Sequence, residues 1–144
     1  MAEGRYAKYV TNDPTVFSVF KEVTSPQFFI GGEKNLGGTP FIMGWSLLTQ
    51  PFTMVPKSHK HDYDQIICFI GGNPIDIRNF DALVEFGLRG EEEIQTITST
   101  LFVFVPKGLM HGSLYIKKVN KSIMFIDVVL AQGAAPAGGS LAGN

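Results

Sequence analysis

The sequence predicts an all-β domain, a sandwich or barrel, on three observations. Between residues 40 and 130, short apolar runs recur about every ten residues, separated by glycine, proline and asparagine turns. Glycine and phenylalanine are both abundant, at 16 and 12 residues, as turn-rich strand proteins require. No heptad pattern or long-period repeat competes with that reading.

The elements follow in order. Residues 1–14 are polar and end in TNDP, a turn or a helix start. TVFSVFKEV suits a short helix and an edge strand equally. SPQFFIGGEKNLGGTP carries two Gly-Gly pairs, so residues 1–39 read as a loop-rich N-terminal arm whose apolar FFIGG would suit a strand exchanged between subunits. FIMGWSLLTQ, bounded by prolines, is the first clear strand, and FTMVPKSHKH follows. QIICFI is ended by GGNP, and ALVEFGL by RGEEE, whose acidic run 91–93 reads as a solvated turn. EIQTITS and LFVFV come next, broken by PKG. HGSLYIKKV turns at Asn120 into SIMFIDVVLA. Residues 40–130 are thus the barrel. Residues 131–144, small and poor in core formers, read as a flexible C-terminal tail.

Composition excludes several function classes. The 144 residues suffice for one domain, which buries roughly 70% of its unfolded surface and needs no disulfide staple. Formal net charge is −1 with no basic stripe, so nucleic acid is not the expected partner. No apolar run reaches membrane-spanning length. The single cysteine, Cys68, and the lack of a secretory leader predict a reducing, cytoplasmic home. GEKNLGG lacks the Gly-Lys-Ser/Thr ending of a phosphate loop.

The chemistry gathers at the three histidines. His59 and His61 stand one residue apart in PKSHKHDYDQIICFIGG. In a strand, residues i and i+2 share a face, so these two project together. If DYD closes a tight hairpin, Gln65 lies opposite His61. His111, after the PKG turn, supplies a third imidazole if its strand is adjacent. Three neutral imidazoles and an oxygen donor suit one divalent transition metal: Fe, Mn, Ni, Co or Zn. Asp64 and Asp62 are alternative oxygen donors, solvated turn residues, or partners that orient a histidine. An H-x-H alone is a weak signal. Here all three histidines fall into two compact motifs beside turns.

At these residues the chain resembles the cupin superfamily. That family's first motif is a glycine, five residues, H-x-H, three or four residues, Glu, six residues, Gly. This chain has His59, His61, Gln65 and Gly72 at those intervals. The second motif is a glycine, five residues, P-x-G, two residues, His, three residues, Asn, matched by Pro106, Gly108 and His111. The resemblance covers roughly residues 40–130. It implies an antiparallel double-stranded β-helix, or jelly-roll barrel, usually dimeric, with a metal inside. Thr53 and Thr100 replace the leading glycines, and Tyr115 replaces the asparagine. Gln65 replaces glutamate, leaving the ion its full charge and holding it less tightly. Manganese-dependent hydroxynitrile lyases of the family are similar in having glutamine there.

Around the metal, the resemblance implies an apolar cavity, for which Trp45, Phe52, Ile67, Phe69, Phe102, Phe104 and Met110 are candidates. Tyr63, Lys57, Arg78, Lys107 and Tyr115 are the polar groups in range. Arg78 stands out because a guanidinium clamps a carboxylate bidentately. The expected function is a metal-dependent enzyme on a small organic molecule, a dioxygenase or a Lewis-acid lyase or isomerase. The alternatives are a binding or sensing module without turnover, or a structural metal site. The expected partners are a small-molecule ligand and a second copy of the chain.

Overall fold

The computed structural model describes residues 4–89 and 92–131. Ten strands carry the fold: β1 (Thr15–Val16), β2 (Gln27–Gly31), β3 (Ile42–Leu48), β4 (Phe52–His59), β5 (Gln65–Gly71), β6 (Ala82–Leu88), β7 (Glu93–Ile97), β8 (Leu101–Val105), β9 (His111–Val119) and β10 (Ile123–Val129). A one-turn helix, α1 (Gly32–Asn35), follows β2.

The strands form two antiparallel sheets. One has the order β1-β2-β3-β10-β5-β8, the other β4-β9-β6-β7. Successive strands of the chain mostly alternate between the sheets, the arrangement of a jelly roll built from two Greek keys. Thr15–Val16 is an edge strand, and FFIGG lies largely in β2, which pairs with β3 of the same chain. Glu93 opens β7 and is not a turn residue. The tail 132–144 lies outside the described residues.

The sequence forms these strands because alternate positions are apolar and one face is buried. Both β5 and β10 alternate strictly between buried and half-buried residues. Their inward side chains, with those of the opposite sheet, make a core that includes Leu48, Phe69, Val84, Phe86, Leu114 and Ile123. Packing of this kind contributes about 1.5–3 kcal/mol per large apolar side chain.

The outward positions of the six-stranded sheet are apolar as well. Register sets Ile30, Met43, Val128, Ile66 and Phe104 in one row across five strands. Phe28, Trp45, Ile126, Cys68 and Phe102 form the next row. Leu47, Met124 and Ile70 form a third. No charged residue stands in any of these rows.

Two ties close one end of the barrel. The Gly108 N–H donates to the His61 carbonyl at 2.9 Å. The Lys107 N–H donates to Asp64 Oδ1, also at 2.9 Å. These bonds pin the connection after β4 to the turn between β8 and β9, so the two histidine motifs meet.

Candidate metal centre

His59 ends β4 and His111 opens β9, and register makes them direct cross-strand partners. Their ring centroids are 4.5 Å apart. His61 lies beyond the end of β4, yet its ring comes within 4.6 Å of His59 and 5.0 Å of His111. The candidate ligand nitrogens of all three lie within 4.8 Å of one another. An ion bonded to imidazole at about 2.1 Å in tetrahedral geometry holds its ligand nitrogens about 3.4 Å apart. The widest separation in the cluster therefore closes by about an ångström when an ion binds.

The ring orientations are set by backbone. His111 Nδ1 lies 2.8 Å from the Leu109 carbonyl, which can only accept, so Nδ1 carries the proton and Nε2 keeps its lone pair. His59 Nδ1 faces the Lys57 carbonyl at 3.3 Å in the same way. Burial lowers the His61 pKa to about 4, helped by repulsion from His59 and His111. His111 is shifted down too, chiefly by burial. Neutral imidazoles are the form that donates to a metal.

Gln65 opens β5 and points inward, 1% exposed. The expected hairpin placing it opposite His61 is not formed. β4 and β5 belong to different sheets, and Gln65 pairs with Val129 and Val105. It reaches the histidines across the space between the sheets, where it lines one cavity with His59 and His111. Its Nε2 donates to Asp127 Oδ1 at 2.7 Å. Asp127, on β10 and 1% exposed, lines the same cavity. Burial pushes its pKa up to about 7, against the opposing pull of the Gln65 hydrogen bond.

Five buried atoms here lack a hydrogen-bond partner: His61 Nε2, His111 Nε2, Gln65 Oε1, Asp127 Oδ2 and the Tyr63 hydroxyl. With the tautomer above, His111 Nε2 offers a lone pair, and Gln65 Oε1 can only accept. Unpaired acceptors beside three clustered imidazoles suit a divalent metal.

Other expected residues divide. Tyr63 belongs with the site: its ring stacks on His61 at 4.6 Å and 9°. Burial, then the nearby Asp127 charge, raises its hydroxyl to about 12. Asp64 does not. It is an exposed loop residue whose carboxylate accepts the Lys107 N–H. Arg78 is tied to Asp76 at 3.0 Å on the surface, in the loop packed against the far end of β5. Trp45 faces outward from β3 and meets Phe28 edge-on. Phe102, Phe104 and Met110 are likewise exposed. Phe52, at the other end of β4 from His59, packs on Phe20. Tyr115 is turned away by a bulge. Ser113, at φ 45°, is skipped in the pairing of β9 with both neighbours. Leu114 then points inward and Tyr115 outward.

Of the expected apolar candidates, Ile67 alone lines the cavity, alongside Val55, Phe86, Leu114 and Phe125. The cavity volume is about 10 Å3, room for about one water. A surface hollow of about 610 Å3 between Lys8, Tyr9, Leu36 and Phe41 is larger, but holds none of these groups.

Asp127 is the residue the sequence reading missed. Its signal was an acid inside the apolar run SIMFIDVVLA, at a position whose alternation points inward.

Comparison with known proteins gives likeness of fold. No family model matches the chain, and no curated protein does. Peruvianin-I, a cysteine peptidase from Thevetia peruviana latex, aligns over 88% of this chain and 77% of its own, at 11% identity and a TM-score of 0.54. An oxalate oxidase in complex with the substrate analogue glycolate aligns over 88% of this chain and 56% of its own, at 10% identity and a TM-score of 0.52. A cupin-2 domain containing protein from Shewanella frigidimarina aligns over 62% of this chain and 69% of its own, at 13% identity and a TM-score of 0.38.

Proposed function

The chain has the cupin fold, and from that premise we propose that it is a metal-dependent enzyme acting on a small organic substrate. His59, His61, His111 and Gln65 would hold one divalent transition ion. The observation that carries this is the cluster of three imidazoles, with the unpaired His111 Nε2 and Gln65 Oε1 on residues that line one cavity. Such an ion supplies Lewis acidity toward an oxygen ligand. Val55, Phe86, Leu114 and Phe125 keep bulk water from the inner side, which strengthens electrostatic attraction there.

Space decides the substrate class. A cavity of about 10 Å3 takes one water or one ligand atom, not a whole substrate. His59 and His61 are half-buried where His111 is fully buried, so access runs past those two rings. The substrate is then a small acid or enol that presents an oxygen inward and leaves its body outside. Tyr63, stacked on His61, flanks that approach.

The test uses the cobalt-loaded protein. Oxalate and acetylacetone should each shift the visible cobalt spectrum saturably. Oxygen uptake with an enolic substrate then selects a dioxygenase, and oxygen-independent turnover a lyase or isomerase. A cobalt spectrum that ignores every small ligand would leave the structural-site reading, with the ion enclosed by protein groups.

The chain is further proposed to act as a homodimer joined through the outer face of the six-stranded sheet. Five strands about 4.8 Å apart, with rows about 6.7 Å apart, two of five residues and one of three, give a footprint of ~420 Å2. That is within the size of the largest apolar patch on a soluble monomer, which often marks an interaction site, and it suits the apolar centre of an interface of about 800 Å2 per partner. The middle strand of the five is β10. A two-fold axis through Ile126 would lay uncharged rows on uncharged rows.

A further inference from the structure

The bond between Gln65 and Asp127 is buried, and neither residue has its remaining oxygen satisfied. Two inward side chains on neighbouring strands make it. Asp127 pairs with Ile67 in the ladder and Gln65 with Val129, so the two stand diagonally on one face. Gly44, opposite Asp127 on β3, adds no side chain to the space. A carboxylate can only accept, so the amide must turn its NH2 toward Asp127 and its oxygen the other way. That other way is the cavity shared with His59 and His111.

We propose that Asp127 is the positioning residue of this site. It holds the Gln65 amide with Oε1 toward the imidazoles. The inference rests on the metal reading above. It also reverses an expectation drawn from sequence alone, that Gln65→Glu would tighten metal binding. In the folded chain that change removes the NH2 that Asp127 holds and sets two acceptors at hydrogen-bond distance, so the side chain at position 65 is no longer held toward the imidazoles.

Asp127→Asn has the same shape and removes the constraint on the amide. The carboxamide it introduces can donate as well as accept, so Gln65 is no longer held to one orientation and can turn its own NH2 toward the ion. The double variant Gln65→Glu with Asp127→Asn restores the bond with donor and acceptor exchanged, and puts a carboxylate toward the imidazoles.

The experiment is cobalt affinity, by competition with a chelator, on the full chain and these three variants, with folding followed by circular dichroism. Asp127→Asn should weaken cobalt binding about 10–100-fold, the range for loss of an outer partner. Gln65→Glu alone should not tighten it. The double variant should recover wild-type affinity or exceed it. Gln65→Glu tightening alone as much as the pair overturns the inference, and so does a folded Asp127→Asn protein that binds like the wild type. These outcomes leave the metal site standing. A wild-type chain that takes up no cobalt overturns the metal reading, and this inference with it. Should Asp127→Asn fail to fold, the comparison of Gln65→Glu with the double variant decides.

Discussion

His111 gathers in one side chain most of what the site requires. It is 2% exposed, its Nδ1 is committed to the Leu109 carbonyl, and its Nε2 is buried without a partner. A core histidine that served packing alone would have both nitrogens paired. His111→Ala is therefore expected to lower cobalt affinity by more than about 100-fold, beyond the range for outer partners. Equilibrium dialysis of the folded variant checks this, and full occupancy would refute convergence of the two motifs. The histidine motifs and Gln65 were legible as residue types at a spacing, but their geometry was not: His61 lies beyond the end of β4, and Gln65 stands in the other sheet, not in a hairpin with it. Asp127 was not legible, because nothing local says which residue an inward acid will meet. Its partner is 62 positions away. Arg78 failed for the opposite reason. Its chemistry suited a clamp, but Asp76, two residues away, satisfies it on the surface.

At the scale of the element, β9 shows how a strand can place a site. Its bounds, like those of β6 and β8, follow the apolar runs ended by turn residues. The bulge at Ser113 does not show in the sequence, since alternation assumes an unbroken ladder. That one irregularity turns Leu114 into the cavity and Tyr115 out of it. Gly112 beside it, at φ 118°, is the residue the local geometry requires. A Cβ there would lie 2.8 Å from the Lys57 carbonyl and 3.0 Å from His59 Nδ1. Gly112→Ala should thus cost about 1–2 kcal/mol from the positive φ alone. It should also push the His59 ring aside and weaken cobalt binding. A thermal melt together with a cobalt titration checks both. A variant that melts lower but binds cobalt like wild type would show that Gly112 serves the bulge and not His59.

At the scale of the whole molecule, the sequence could say that strands alternate but not which strands share a sheet. Trp45, Phe102 and Phe104 read as cavity candidates because an aromatic residue on a strand is ordinarily core. They instead belong to a sheet that is apolar on both faces, and apolarity cannot distinguish the inner face from the outer. A strand buried on both sides in the working assembly carries this same composition. The homodimer proposal turns on that point. Trp45→Arg combined with Phe102→Arg places two guanidinium groups at the centre of the proposed interface, where burying an unpaired charge costs several kcal/mol. Both positions are already exposed in the single chain, at 38% and 66%, so the barrel itself should tolerate the change. Sedimentation should give a dimer for the wild type and a monomer for the double variant. Cobalt affinity should be equal in the two, because neither residue reaches the cavity. A wild-type chain that sediments as a monomer at every concentration, or a double variant that stays dimeric, would exclude this face as the contact.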